Sequence, residues 1–227
     1  MKHRLTLVLS AALLLAACAT PPQAPIALSG KVFAVPSSKV GVLIATMPKV
    51  DTEFPGAACL LCLAAASIAN SELTNYTQTL PFQDFTSIDQ QVAEIIKKKG
   101  ANATIVTPIE LKSLPDSSKG PNFARKDFSS LKAQYKLDKL LVISVNTVGV
   151  HRSYSAYVPT SDPKATLRGE SYIVNLEDNS LEWYLPLNVS KGSDSKWDEP
   201  PRFPGLTNAY FQTLETAKDL ITVPLSQ

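Results

Sequence analysis

The sequence predicts an α/β fold, a mixed parallel and antiparallel sheet with helices on its faces. Three observations carry that prediction. Short runs rich in branched apolar residues, Lys39–Thr46, Ala103–Thr107 and Asp138–Val145, are separated by segments of helical period, which favours parallel neighbours. From Thr166 to Val189 the chain alternates on a period of two about Glu177-Asp178-Asn179-Ser180, the pattern of an antiparallel hairpin. Helical spacing then returns at Leu206, Tyr210, Leu214, Ala217 and Ile221 in a terminal amphipathic helix.

In chain order, the strand at Lys39–Thr46 opens the core sheet and Asp51–Gly56 reads as a turn-rich loop. Ala57–Ala69 is dominated by Ala and Leu, the best helix formers, and a more polar continuation reaches Leu80. Its first half, with Leu60, Leu61 and Leu63, is apolar all round and must be covered on every side. A central core helix is the expectation, with burial against a partner or a membrane surface as the alternative. Ser87 with Gln90 offers a capping box; Ile88, Val92, Ile95 and Ile96 share one helical face; Lys97-Lys98-Lys99-Gly100 ends that helix with cations and a glycine. The second strand is expected to stop at Pro108. Phe128, Leu131 and Tyr135 mark a third helix, and Asp138–Val145, apolar on both faces, reads as a central strand. In the hairpin, Leu181, Trp183, Leu185, Leu187 and Val189 form the dry face, and Pro186 demands an edge or a bulge.

Residues 1–17 match a secretory signal, with Lys2, His3 and Arg4, an apolar run from Leu5 to Leu15, and small residues before Cys18. The run falls short of the roughly 18 to 20 residues that a membrane-spanning helix needs. Leu15-Ala16-Ala17-Cys18 also resembles the bacterial lipobox, which implies cleavage before Cys18 and attachment to a membrane through a lipid on that residue. Ala19 stands where an inner-membrane retention signal would have Asp, so the resemblance implies the periplasmic face of the outer membrane. Residues 18–38, Pro-rich and without an apolar period, read as a lipidated tether, and residues 39–227 as a single α/β domain. The chain carries 22 Lys+Arg and 20 Asp+Glu. Lys2 and Arg4 leave with the signal, the two signs then balance, and no basic footprint for nucleic acid remains.

Lipidation would occupy the sulfur of Cys18 and leave Cys59 and Cys62 as each other's intrachain option in an oxidising compartment. A CxxC at a helix start suits disulfide exchange, because the helix dipole lowers a thiol pKa; strongly apolar surroundings raise it and make the thiols inert. Two buried thiols are the expectation, with a structural disulfide, redox exchange and a metal site as alternatives. Two sulfurs do not make the usual four-ligand zinc site, and His151 is the sole histidine after the signal, so no metal is expected. His151-Arg152-Ser153-Tyr154 reads as a solvated strand extension in preference to a catalytic base, and no nucleophile-elbow, Walker or dinucleotide glycine pattern implies a catalytic site or cofactor. Trp183 reads as core, whereas Trp197, in a polar loop, is a candidate for partner contact together with Leu60, Leu61 and Leu63.

Val40-Gly41-Val42, Leu137-Asp138-Lys139-Leu140-Leu141-Val142 and the hairpin from Tyr172 to Trp183 resemble a group of envelope lipoproteins with a TolB-amino-terminal-like fold. That group includes the curli-secretion family and activators of peptidoglycan synthases. The chain departs from it in placing Asn179-Ser180 where the hairpin turn usually has glycine, and in the apolar Cys-containing helix. The resemblance implies a noncatalytic interaction or accessory protein of an envelope assembly or secretion complex, with envelope proteins or a homo-oligomer as partners. Rival expectations are a periplasmic thiol-disulfide protein using Cys59 and Cys62, and a carrier holding an apolar ligand in a cavity beside the Cys59 helix.

Overall fold

A computed structural model describes residues 22–34, 38–117 and 119–227; the expected signal peptide and Cys18 lie outside them. Strand β4 (Lys139–His151) is buried residue after residue from Leu140 to Val145, as a run apolar on both faces requires. It is the centre of a sheet ordered β3-β1-β4-β7-β8, where β1 is Lys39–Ala45, β3 Asn102–Ile109, β7 Lys164–Asn175 and β8 Leu181–Gly192; β5 (Tyr154–Ser155) and β6 (Val158–Pro159) form a small separate hairpin. β1 runs parallel to β3 and β4, whereas β7 and β8 are antiparallel, so the sheet is mixed as expected.

Helices α1 (Leu60–Ala69), α2 (Ser71–Thr77), α3 (Gln83–Thr86) and α4 (Ile88–Lys98) lie between β1 and β3 in the chain, α5 (Ser129–Tyr135) lies between β3 and β4, and α6 (Pro204–Ser226) follows β8. One sheet face, with Val42, Ile44, Leu141, Ile143, Ile173 and Trp183, packs against Ile88, Val92 and Ile96 of α4 and Tyr210, Leu214 and Ile221 of α6. The opposite face, with Leu43, Leu140, Val142, Tyr172 and Val174, packs against Phe128 and Leu131. The alternation along β1 and β4 follows from the two-residue period of a strand.

Several local expectations are corrected. Ser87 does not form the capping box: its backbone is helical, and its hydroxyl donates to the Asp84 carbonyl, because α3 runs almost directly into α4. Strand β3 continues through Pro108 to Ile109; it is an edge strand, and its pairing with β1 shifts register between Leu43 and Ala45, so the missing N–H of Pro108 is not needed there. The expected loop at Asp51–Gly56 contains strand β2 (Asp51–Glu53), which pairs in parallel with Gly149–His151. It does so because β4 runs past the end of β1 and leaves an edge unpaired. Gly149 is required at this contact: its φ is +139°, and an added Cβ would lie 2.0 Å from the Asp51 carbonyl oxygen. Extension of β4 also places His151, half-buried, inside the strand, and Tyr154 is buried beyond it, so this segment is not a solvated extension.

The tether expected over residues 18–38 is not free along its described part. Ile26 bridges to Tyr184 on β8, Val32 and Phe33 are buried in the core, and the Lys139 ammonium donates to the Val32 carbonyl at 2.8 Å and to Glu182 at 2.6 Å. Isolated apolar residues among Pro and Ser give no periodic signal, so this docking was not legible.

Placing alanine at Gly149 forces β2 away from β4 and should lower the unfolding free energy by several kcal/mol, measured by urea denaturation. His151 is held below its ordinary pKa first by burial and then by Arg168 and Lys164, with Glu53 opposing. The neutral imidazole is therefore favoured in the folded state, so its contribution is complete above the unfolded value of about 6.5 and is lost as pH falls from there through the lower folded value. Stability should decline over that acidic window, and the decline should be shallower in His151→Gln.

Candidate functional site

Helix α1 starts at Leu60 and not at the expected Ala57, with Cys59 in an extended conformation as its N-cap, and Asn70 separates it from α2 in place of the expected continuous helix to Leu80. Its position is not the expected one. Only Cys62 and Ala66 are buried, against Ala57, Phe54 and Tyr154, while Leu60 is 85% exposed, Leu61 70%, Leu63 45% and Ile68 76%. The core-helix expectation is overturned because α4 and α6 occupy one sheet face and α5 the other. β2 delivers α1 to the far end of β4, beyond both layers.

A polar latch that the sequence did not reveal holds α1 there. Asn70, buried between α1 and α2, donates from Nδ2 to the Ala66 carbonyl at 2.7 Å and to the Tyr154 hydroxyl at 2.6 Å, and its Oδ1 accepts from Arg152 at 2.9 Å. The Arg152 Nε donates to the Ser161 carbonyl at 3.2 Å, and its guanidinium lies 4.8 Å from the centre of the Trp197 ring. An asparagine ending an apolar run was the only hint in the sequence.

Cys59 and Cys62 are joined in a disulfide, so the two-thiol expectation is replaced by its structural-disulfide alternative. Cys62 is buried and Cys59 exposed, because Cys59 stands outside the first turn while Cys62 faces Tyr154. The Cys59 sulfur accepts from the Cys62 N–H at 2.9 Å, capping the helix, and the Tyr157 hydroxyl lies 3.7 Å from it. Cys62 is packed among Phe54, Ala57, Ala66 and Tyr154.

Trp197 is half-buried, stacked parallel to Phe203 at 6.2 Å and packed with Leu73, Val150 and Leu206. It thus ties the loop before α6 to α2 and β4, and at the same time walls a cleft of about 440 Å³ with Asn70, Glu72, Asp198 and Arg202. A second cleft, of about 640 Å³, lies between Ile26, Leu28, Phe33, Trp183 and Pro224. The first of these clefts touches α1 at Ala69 and at its cap Asn70, and neither is lined by Cys59 or the leucines of the helix. Among the described residues no cluster of three or more His, Cys, Asp or Glu has the geometry of a metal site, and no helix is long and apolar enough to cross a membrane.

No family model matches the chain, and no curated protein matches it. Among solved structures, a variant PelC dodecamer from Paraburkholderia phytofirmans is similar at 11% identity, covering 90% of this chain and 94% of that one, with a TM-score of 0.34. Protein XCC0632 from Xanthomonas campestris is 14% identical over 90% of this chain and 92% of that one, TM-score 0.38. Lipoprotein GNA1162 from Neisseria meningitidis is 16% identical over 78% of this chain and 96% of that one, TM-score 0.28. All three scores are too low for the likeness to bear on function.

Closing so short a loop, the disulfide should contribute about 2 kcal/mol at most. The double variant Cys59→Ser, Cys62→Ser should stay folded, since the serine hydroxyl introduced at the N-cap supplies a capping oxygen in place of the sulfur. The expected cost is a loss of up to about 2 kcal/mol in chemical denaturation, with envelope function intact. Loss of function in that folded variant would instead put exchange chemistry at Cys59 first.

Proposed function

We propose that the protein is a noncatalytic accessory component of the bacterial envelope, held by a lipid on Cys18 at the periplasmic face of the outer membrane and acting through contacts made by α1. The observation that carries this reading is the exposed helix itself. A folded domain that leaves Leu60, Leu61, Leu63 and Ile68 in water has a surface built to be covered. The lipobox-like Leu15-Ala16-Ala17-Cys18 supports the location, and the Cys59–Cys62 bridge suits an oxidising compartment. The order of strands and helices supports the TolB-amino-terminal-like assignment in the same direction. The exposed sulfur of Cys59 favours one rival reading, a thiol-disulfide protein, while the burial of its partner Cys62 among Phe54, Ala57, Ala66 and Tyr154 weighs against it.

Labelled palmitate should enter the wild-type protein and not Cys18→Ser, and the labelled chain should fractionate with outer membranes. Equal labelling of both would remove the anchor, and with it the proposed location.

A further inference from the structure

We propose that α1 is the two-fold face of a homodimer, packing antiparallel against α1 of a second copy. This deepens the reading of the exposed helix as a contact surface, and it names the partner.

The face is large enough. Beside α1, Tyr157 and Val158 at the tip of the small hairpin are 56% and 63% exposed, and Tyr157 reaches the Cys59 sulfur. With the exposed parts of Leu60, Leu61 and Ile68, the uncovered surface comes to roughly 600 Å² at ordinary side-chain areas. That is three quarters of the about 800 Å² each partner brings to a standard interface, and at the upper end of the largest patch on a typical monomer.

The face is also self-complementary. On a helix whose buried side is Cys62 and Ala66, the opposite side carries Leu60, Leu61, Ala64, Ala65 and Ile68. Reversing this segment about the midpoint of Ala64 and Ala65 sets Leu61 against Ile68 of a second copy and Ala64 against its Ala65. Large side chains at both ends and small ones between let two such helices approach closely, and an isologous contact needs this symmetry.

Charge and position argue against the bilayer as the occupant. No Lys or Arg lies between Lys49 and Lys97, whereas Asp51, Glu53, Glu72, Asp84, Asp89 and Glu94 do, so the segment carrying α1 lacks the cations with which interfacial helices meet anionic lipid, and the neighbouring Arg152 is engaged by Asn70 and Ser161. The chain enters at the other end of the sheet: Gln23 bonds to Asn122, beside the β7–β8 turn, which adjoins the Lys139 end of β4. α1 sits past the His151 end, about 40 Å away along thirteen residues of strand. Cys18, five residues before Gln23, reaches at most about 18 Å from it. Only this positional argument rests on the anchor.

The test uses the full-length protein, extracted in mild detergent. Two differently tagged chains, Leu61→Cys and Ile68→Cys, each with Cys59→Ser and Cys62→Ser, are produced together and oxidised gently. The mixed 61–68 crosslink should dominate, because like positions lie about 10 Å apart along an antiparallel pair, beyond disulfide reach. In the otherwise native chain, Leu61→Glu should weaken dimerisation by at least about tenfold in light scattering, with the unfolding midpoint equal to that of the wild type at dilutions where both are monomeric. Should Leu61→Glu unfold the protein, the crosslinking pattern decides alone. A monomeric wild type without any 61–68 crosslink would overturn the proposal, as would thiols at 61 and 68 that are shielded only when vesicles of anionic lipid are added. Palmitate labelling is scored separately, so an anchored protein that fails to pair would overturn the dimer alone.

Discussion

The close contact between Asp51 and Gly149 is the constraint on which the unusual part of the molecule depends. β4 outruns β1, and the backbone that fills its bare edge is the three-residue β2. A side chain at position 149 would displace that strand. From Glu53 the chain has only a short path to Cys59, so α1 is set down at the end of the sheet and not on either face. Glu53 is further held to β4 and β7 by Thr147 and Arg168.

Both faces of the sheet already carry helices, and what α5 leaves open is polar, with Arg168 and Asn188 exposed there. One face holds α4 with α6 and the other α5, whose apolar stripes match the alternating residues of β1, β4 and β7. The apolar excess of the segment from Ala57 to Ala69 is therefore left outside a core that is complete without it. Its attachment is slender: two side chains in contact with Tyr154 and Phe54, and the hydrogen bonds of Asn70. Those bonds matter more than their number suggests, because removing one partner would strand a buried polar group at a cost of about 1 to 3 kcal/mol.

The two ends of the sheet thus differ in purpose. At the Lys139 end, an ammonium shared by Glu182 and the Val32 carbonyl binds the amino-terminal segment to the domain. At the His151 end, the Arg152 guanidinium joins Asn70, Ser161 and Trp197, linking α1, the small hairpin and the loop before α6. Trp197 serves this second junction, which is why a tryptophan in so polar a loop is half-buried.

By itself the sequence determined the α/β class, the central place of β4, the hairpin and its edge position, the helix at Ile88–Lys98 and the residence of Trp183 in the core. Each of these is written in periodicity that repeats over several residues. It also marked Leu60, Leu61 and Leu63 as needing cover. Tertiary structure alone decided where that cover is lacking. Propensity and hydrophobicity specify that a helix forms and that it prefers burial, but not whether the layers it would join already carry other helices. Likewise β2, the docking of Val32 and Phe33, and the bonds of Asn70 to Arg152 and Tyr154 depend on residues brought together from distant points in the chain, and no local pattern encodes them.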